Sequence, residues 1–343
     1  MDSKRITHNF LTGLTGGNYA ANDIETISKA IEYSREQKEA PEYKVAFLFI
    51  CLNPTYWNLI KDTIDGARKF FLPGHQTDFF LWSDIPKPEE VISKGEENIK
   101  TTYLSNYAGT TITEDKKKEI EARITSSVNR AIESAEFIQG DEHIKVFPTE
   151  PLPWPAPTLY RYHLFLQQEA LLKEYDYIYY CDIDMRFVNY IGDEVLGDLV
   201  AAEHPMYSLH KSFWPPYEPN KESSAYIPRP GVIISDNGQP RFKPLYYAGG
   251  FQGGKSAKYI EAMKGTEDLI DEDENKRNYR AIWNDESYWN KYLFMNPPSL
   301  VLSPSYIYPD SLIKEYYEPK WGCSYPPKLV TLTKDWSIKP LTN

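Results

Sequence analysis

The 343-residue chain is 41% hydrophobic and 25% charged, ordinary proportions for a globular protein with room for a sizeable core in one large domain or two modest ones. Lys and Arg total 38 against 49 Asp and Glu, a net charge of −11, which argues against sequence-independent binding to nucleic acid or anionic lipid. Three separated cysteines (Cys51, Cys181, Cys323) exclude a disulfide framework, no apolar run reaches the ~18 residues of a membrane span, and the opening MDSKRITHNFLTGLTGG lacks a secretion signal's apolar core. The expectation is a soluble cytoplasmic protein with no integral membrane segment.

Residues 1–43 are polar and punctuated by Gly and Asn, with one helix predicted over 23–39, and read as an N-terminal helical extension. At 44–52 the sequence becomes KVAFLFICL, a run expected of a strand buried on both faces of a parallel sheet. A helical pattern over 56–71 and Pro-Gly at 73–74 lead to a second strand over 78–82, closing at Ser83-Asp84-Ile85-Pro86. Strand, helix, strand opens a nucleotide-binding α/β layer. Residues 87–140 are charged and rich in Lys, Glu and Ser. Ile120, Ile124, Val128, Ala131 and Ile132 fall on a helical period and predict an amphipathic helix over 116–137. This segment reads as an insertion that adds helix rather than chemistry. A short strand follows over 144–147, then a helix over 157–175 after the Pro-rich PLPWPAP, then the buried strand YDYIYYC at 175–181. Beyond it the chain is loop-rich, with a Gly-rich stretch at 246–254, an acidic run at 267–274 that reads as a solvated face, and the aromatic WNDESYWN at 283–290.

Aromatics make up 15% of the chain, with 27 Tyr and 8 Trp, which suits either sugar surfaces or extra core packing. Asp182-Ile183-Asp184 places two carboxylates just past a buried strand, where ligands dock in open α/β folds. Such oxygens suit Mn²⁺ or Mg²⁺ shared with substrate phosphates, although D-x-D alone is a weak motif. Asp285 and Glu286 sit between Trp283 and Tyr288, and two readings fit. One is a carboxylate acting at a sugar carbon; the other is a helix N-terminus capped by Asn284. AGGFQGG at 248–254 is either backbone close to a ligand or a simple turn, and it does not match a dinucleotide fingerprint. His204 reads as a sugar contact or a structural histidine, and Arg161 as a diphosphate clamp or a surface ion pair. No Cys/His cluster has zinc spacing, and no P-loop or G-x-S-x-G occurs.

Six segments occur in the order and rough spacing of family-6 glycosyltransferases: DIDMRF (182–187), EHP (203–205), YEPNKESSAYIP (217–228), YYAGGFQGG (246–254), WNDESYWNKY (283–292) and LSPSYIY (302–308). VAFLFICLNPTYW, FFLPGH and WPAPTLYRYHLFL also match, so that the chain resembles this family over residues 44–335, and most of all its bacterial and phage-like branch. The resemblance implies an α/β GT-A-type fold, a mixed central sheet flanked by helices, with 44–343 as catalytic domain and 87–140 as helical insertion. It implies retaining α-1,3 transfer of GalNAc or Gal from a UDP-sugar to the 3-hydroxyl of a galactoside in an oligosaccharide acceptor.

Carried over by position, Asp182 and Asp184 would bind Mn²⁺ (or Mg²⁺) and through it the diphosphate. Cys51, Leu52, Asn53 and Tyr56 would hold uracil and ribose, and Arg161 and Lys334 would bear on the diphosphate. Ala248, Gly249 and Gly250 would lie along the donor, with Ala248 and Gly250 small enough to favour UDP-GalNAc over UDP-Gal. His204, Trp283 and Asp285 would contact substrate, and Glu286 would be the nucleophile or oxocarbenium stabiliser. Departures from the family pattern are Asn284 in place of a histidine, Pro216 and Pro219 in the acceptor loop, and Pro309 in place of an acid. A metal-dependent UDP-sugar hydrolase and an inactive sugar-binding module share many of these features.

Overall fold

The computed structural model describes residues 42–97, 100–101, 113–209, 215–228, 246–312 and 326–332. The predicted extension and its helix over 23–39 therefore lie outside the described residues, as do Cys323 and Lys334.

Strand β1 (Lys44–Cys51) is buried along its length apart from Lys44 and leads through the short helix Pro54–Trp57 into α1 (Ile60–Phe70) and then β2 (Gln76–Ser83). After β2 come the turns Pro88–Glu90 and Val91–Gly95, then α2 (Glu114–Gln139), which Thr113 caps by accepting from the Lys116 N–H. Its buried stripe contains the predicted Ile120, Ile124, Val128 and Ala131. Strand β3 (Ile144–Pro148) precedes α3 (Arg161–Leu166), and β4 (Tyr177–Cys181), fully buried, runs straight into Asp182.

The helix predicted over 157–175 is broken into three: Ala156–Leu159, α3, and Glu169–Leu172. Tyr160 (φ −98°, ψ 17°) and Gln168 (φ −109°, ψ 23°) turn the chain at the two joints. Strands β5 (Met185–Phe187), β6 (Leu199–Glu203) and β7 (Tyr247–Lys255) follow, then α4 (Ser256–Glu272), α5 (Asp285–Met295), β8 (Leu300–Leu302), β9 (Tyr308–Pro309) and β10 (Leu329–Thr331).

The main sheet has seven strands in the order β3-β2-β1-β4-β7-β6-β8, with β7 antiparallel to both neighbours and the other pairs parallel. Period-two alternation along β1 divides the core. Val45, Phe47 and Phe49 pack with Ile64, Ala67 and Ala135 of α1 and α2, whereas Ala46, Leu48 and Ile50 pack with Phe165, Tyr259 and Trp289 of α3, α4 and α5. This mixed α/β sheet between two helical layers is a GT-A-type architecture. Much of the aromatic excess is core, because Tyr162, Tyr179, Tyr259, Tyr288, Trp82 and Trp289 are all fully buried. A second sheet, β5-β10-β9, seals the region beyond Asp184.

Two expectations are corrected here. The Gly-rich stretch is no turn: it is β7, in the middle of the sheet, and its glycines permit close packing against β4. A Cβ on Gly253 would lie 2.4 Å from the Ile178 carbonyl oxygen and 2.5 Å from the Tyr179 ring. The acidic run is no solvated face. Asp273 is fully buried and accepts from the Ser223 and Tyr288 hydroxyls, the Ser224 N–H and Arg277, while Tyr160 donates to Glu274 and Asp271 pairs with His163. Buried carboxylates persist where donors surround them, and this one pins the 223–225 segment to α4 and α5.

Gly253→Ala forces β7 away from β4, and a loss of about 2–4 kcal/mol is expected in denaturant unfolding; an unchanged midpoint would contradict the packing described.

Candidate functional site

A cavity of about 780 Å³ opens at the carboxyl ends of β1, β2 and β4, the edge at which open α/β sheets bind ligands and a volume typical of small-molecule sites. Leu52, Asn53, Tyr56, Asp182 and Asp184 line it together with Asp84, Trp57 and Tyr180. Asn53 adopts φ 104°, a region Asn enters more readily than most residues, and its side chain accepts from the Thr55 N–H at 3.0 Å. Its own N–H donates to Asp84, which also accepts from the Trp57 indole at 2.7 Å. Burial raises the Asp84 carboxyl above its ordinary range despite these donors. Cys51 does not reach the cavity wall. It is fully buried in the core, and burial pushes its thiol well up.

The Asp182–Asp184 turn is fixed through its backbone. The Asp182 N–H donates to the Gly250 carbonyl at 3.0 Å, Thr63 of α1 donates its hydroxyl to the Ile183 carbonyl at 2.8 Å, and the Leu332 N–H donates to the Asp184 carbonyl at 2.9 Å. A Cβ on Gly250 would lie 2.7 Å from Asp182 Oδ2, so glycine there leaves room for the carboxylate itself. Tyr180 donates to Asp182 Oδ1.

Arg161 joins this turn to α5. Far from forming a surface pair, it is 3% exposed, donates through Nη1 to the Gly249 carbonyl at 2.9 Å, and lies 3.6 Å from Asp182 and 3.1 Å from Asp285. Its Nε donates to the Thr158 carbonyl, and its plane lies over the Tyr180 ring. Burial works against its charge, but Asp285, Tyr180 and Asp182 hold it firmly protonated.

Asp285 and Glu286 form the first turn of α5 and also face β7 at Gly249. Asn284 occupies the cap position at φ 49°, yet its side chain makes no capping hydrogen bond. The Gly249 N–H donates to Glu286 Oε2 at 2.8 Å. Burial lifts Asp285 to about 7 against the pull of Arg161, and lifts Glu286 to about 7 against the Gly249 N–H and the Tyr246 hydroxyl.

His204 and Trp283 extend from this cluster rather than from the cavity lining. The His204 N–H donates to the Tyr246 carbonyl, and its Nδ1 accepts from the Met206 N–H, which leaves the proton of the neutral ring on Nε2. Burial lowers its pKa to about 4, so the ring stays neutral. Trp283 is half exposed and its carbonyl accepts from the Glu286 N–H. Ala248 is buried in the core.

Sequence reasoning missed Asp84, Thr63, Tyr180 and Tyr246. Asp84 carried the signal that singled out Asp182, a carboxylate one step past a buried strand. The other three become visible only through tertiary contacts. The insertion was expected to add no chemistry, but Glu90, Lys94 and Thr101 line the cavity.

The profile of glycosyltransferase family 6 matches residues 162–317, the stretch that carries β4, the Asp182–Asp184 turn, β7 and α5. Over that segment the chain is similar to glycosyltransferase family 6. It is 27% identical over 257 residues to the human globoside alpha-1,3-N-acetylgalactosaminyltransferase 1, covering 74% of this chain and 58% of that protein. It is 34% identical over 164 residues to the rat histo-blood group ABO system transferase 1, covering 47% and 43%. It is 29% identical over 170 residues to the Escherichia coli O-antigen biosynthesis glycosyltransferase WbnI, covering 49% and 67%. The chain thus spans 58% and 43% of the first two relatives. No helix among the described residues is long and apolar enough to cross a membrane.

The raised Glu286 pKa has a thermodynamic signature. Folded, Glu286 keeps its proton up to about pH 7; unfolded, it loses it near 4.5. Between these values the folded state binds more protons, so stability falls as pH rises through that window. Glu286→Gln removes this term, and its Tm should fall by ~2–5 °C less than that of the wild-type chain between pH 5 and 8. Parallel Tm-against-pH curves for the two proteins would refute the shift.

Proposed function

We propose that this protein is a retaining α-1,3-glycosyltransferase that moves GalNAc, or Gal, from UDP to the 3-hydroxyl of a galactoside. The observation that carries this reading is the junction of a nucleotide-sized cavity with a buried carboxylate cluster, made through the single Arg161 guanidinium at Asp182, Asp285 and Gly249. The activities for which the similar human, rat and bacterial transferases are named support it.

Among the described residues no group of three His, Cys, Asp or Glu side chains is placed to enclose a metal. Asp182 and Asp184 nevertheless fit a divalent cation by chemistry. They offer hard oxygen donors only, and a two-carboxylate set leaves coordination positions for a diphosphate, the usual arrangement for Mg²⁺ or Mn²⁺. When bound, the ion would neutralise charge on the departing UDP.

The chain's own residues perform the rest. Leu52, Asn53 and Tyr56 wall the nucleoside end, and Lys334 is assigned to the diphosphate. Arg161, unable to reach solvent, keeps the sugar side electrically balanced while two carboxyls and the diphosphate gather there. Glu286, oriented by the Gly249 N–H, acts in its carboxylate form as nucleophile or as stabiliser of the oxocarbenium ion. The anomeric carbon–oxygen bond to UDP breaks, the bond to the acceptor 3-oxygen forms, and the acceptor hydroxyl proton passes to the departing phosphate. His204 Nε2–H and the exposed Trp283 face offer a donor and an apolar platform for the acceptor galactoside. That platform favours transfer over simple hydrolysis of the UDP-sugar.

Calorimetry and turnover separate the two roles. Asp182→Asn should lose UDP affinity in Mn²⁺ by at least ~10-fold, while Glu286→Gln should keep it and lose ~10²–10³-fold in kcat. Equal loss of UDP affinity in both variants would defeat the assignment.

For the donor, UDP-GalNAc should show the larger kcat/KM in direct competition with UDP-Gal, with a galactoside panel as acceptor. A clear preference for UDP-Gal would reject the steric argument from Ala248 and Gly250, and UDP release that ignores every acceptor would make the protein a hydrolase.

A further inference from the structure

Two donors approach the same oxygen of Asp182. The Tyr180 hydroxyl donates to Oδ1, and Arg161 Nη1 lies 3.6 Å from that atom. Arg161 is kept from closing the gap by its other partners: the Gly249 carbonyl at 2.9 Å, the Thr158 carbonyl at 3.1 Å and Asp285 at 3.1 Å. A carboxylate only accepts, so the hydroxyl is the donor in the Tyr180 bond.

Tyr180 reaches Asp182 because the two stand at i and i+2 where β4 ends, and alternate residues share a face. The tyrosine is held in place: it is 3% exposed, its ring centroid lies 5.3 Å from that of Phe165, and the Arg161 guanidinium sits 4.6 Å over it. Asp182 is less confined, with 32% of its side chain exposed. A neutral donor orients a carboxylate and leaves its charge in place. A guanidinium drawn up to the same oxygen would largely cancel that charge, and a neutralised carboxylate is a poor ligand for a hard cation.

We propose that Tyr180 is a positioning residue for the divalent cation: its hydroxyl holds Asp182 away from Arg161, so that a charged carboxylate faces the ion while Arg161 stays with Asp285 and Gly249. The inference deepens, and rests on, the assignment of Asp182 to a cation in the transferase reading above. Neither the nucleotide nor the reacting atoms are touched by Tyr180 in this role.

Tyr180→Phe keeps the ring and removes only the hydroxyl. Mn²⁺ titrated into the full chain in the presence of UDP, with free ion read by its EPR signal against a UDP blank, should bind about 10-fold more weakly to this variant than to the wild-type chain. By calorimetry its UDP affinity should fall at limiting Mn²⁺ and return to the wild-type value at saturating Mn²⁺. An Mn²⁺ affinity equal to wild type overturns the proposal even if Tm drops, because a merely structural hydroxyl would move Tm alone. A loss of UDP affinity that persists at saturating Mn²⁺ also overturns it, since Tyr180 would then be in contact with the nucleotide. A wild-type chain that binds no Mn²⁺ with UDP present removes the cation from Asp182 and this inference with it, whereas a variant that matches an Mn²⁺-binding wild type removes this inference alone.

Discussion

Burying a guanidinium is costly unless anions and acceptors surround it, and Arg161 is surrounded on every side. Asp182 and Asp285 flank it, the Gly249 and Thr158 carbonyls accept from it, and the Tyr180 ring covers one face. These groups come from β4, β7, α5 and the turn before α3, four places far apart in sequence. The dependence is mutual. Asp285, sealed from water beside Glu286, has Arg161 as the neighbour that pulls its carboxyl back toward ionisation. A charge balance of this kind works only if all its members are held in register, so the site imposes a constraint on the packing of the layer formed by α3, α4 and α5.

Backbone contacts meet that constraint. The Asp182–Asp184 turn is tied to β7, to α1 and to the strand β10 by one hydrogen bond each, so three separate elements fix where the two carboxylates leave the sheet. β7 approaches closely because it is rich in glycine. Gly249 offers its N–H to Glu286 and its carbonyl to Arg161 and Gln252, while Tyr162 supports Gln252 from below. These shared hydrogen bonds hold β7 against α3 and α5, and rigidity is what a site needs when two carboxyls sit close together. Such adjacent groups titrate as a pair, so a change at either moves both.

How much of this was legible in the sequence follows from where the forces act. β1, β2 and β4 were readable because strands buried on both faces are written as continuous apolar runs, and α2 because its apolar residues keep a helical period. β7 was not, since its glycines answer to the aromatic residues of β4, which lie about seventy positions away. The helix over 157–175 failed at Tyr160 and Gln168, whose turns serve tertiary contacts rather than local propensity. Asp273 looked like one of a solvated run because three of its donors, Ser223, Ser224 and Tyr288, come from other segments of the chain. Arg161 and Asp285 were visible as residues, but only the folded chain shows that each is the other's counterion. Cys51 was assigned to the nucleoside by resemblance alone, and its side chain is fully buried in the core.

Gly250 shows how two requirements can fall on one position. In the proposed reaction its smallness leaves space beside the donor sugar, yet the nearest atom to an added Cβ is Asp182 Oδ2, ahead of Met185 and Ile307. Enlarging this position would displace the carboxylate before it narrowed any sugar pocket, so a loss of UDP-GalNAc use on substitution here would report on Asp182 as much as on the acetamido group. Size selection between donors would then fall to Ala248, whose side chain packs in the core with Phe251 and Leu302 rather than in the cavity lining. Discrimination at Ala248 would act through the spacing of β7 from its neighbours, and a residue that acts through backbone spacing shifts every contact Gly249 makes. Donor choice and the orientation of Glu286 are in that sense one property of β7.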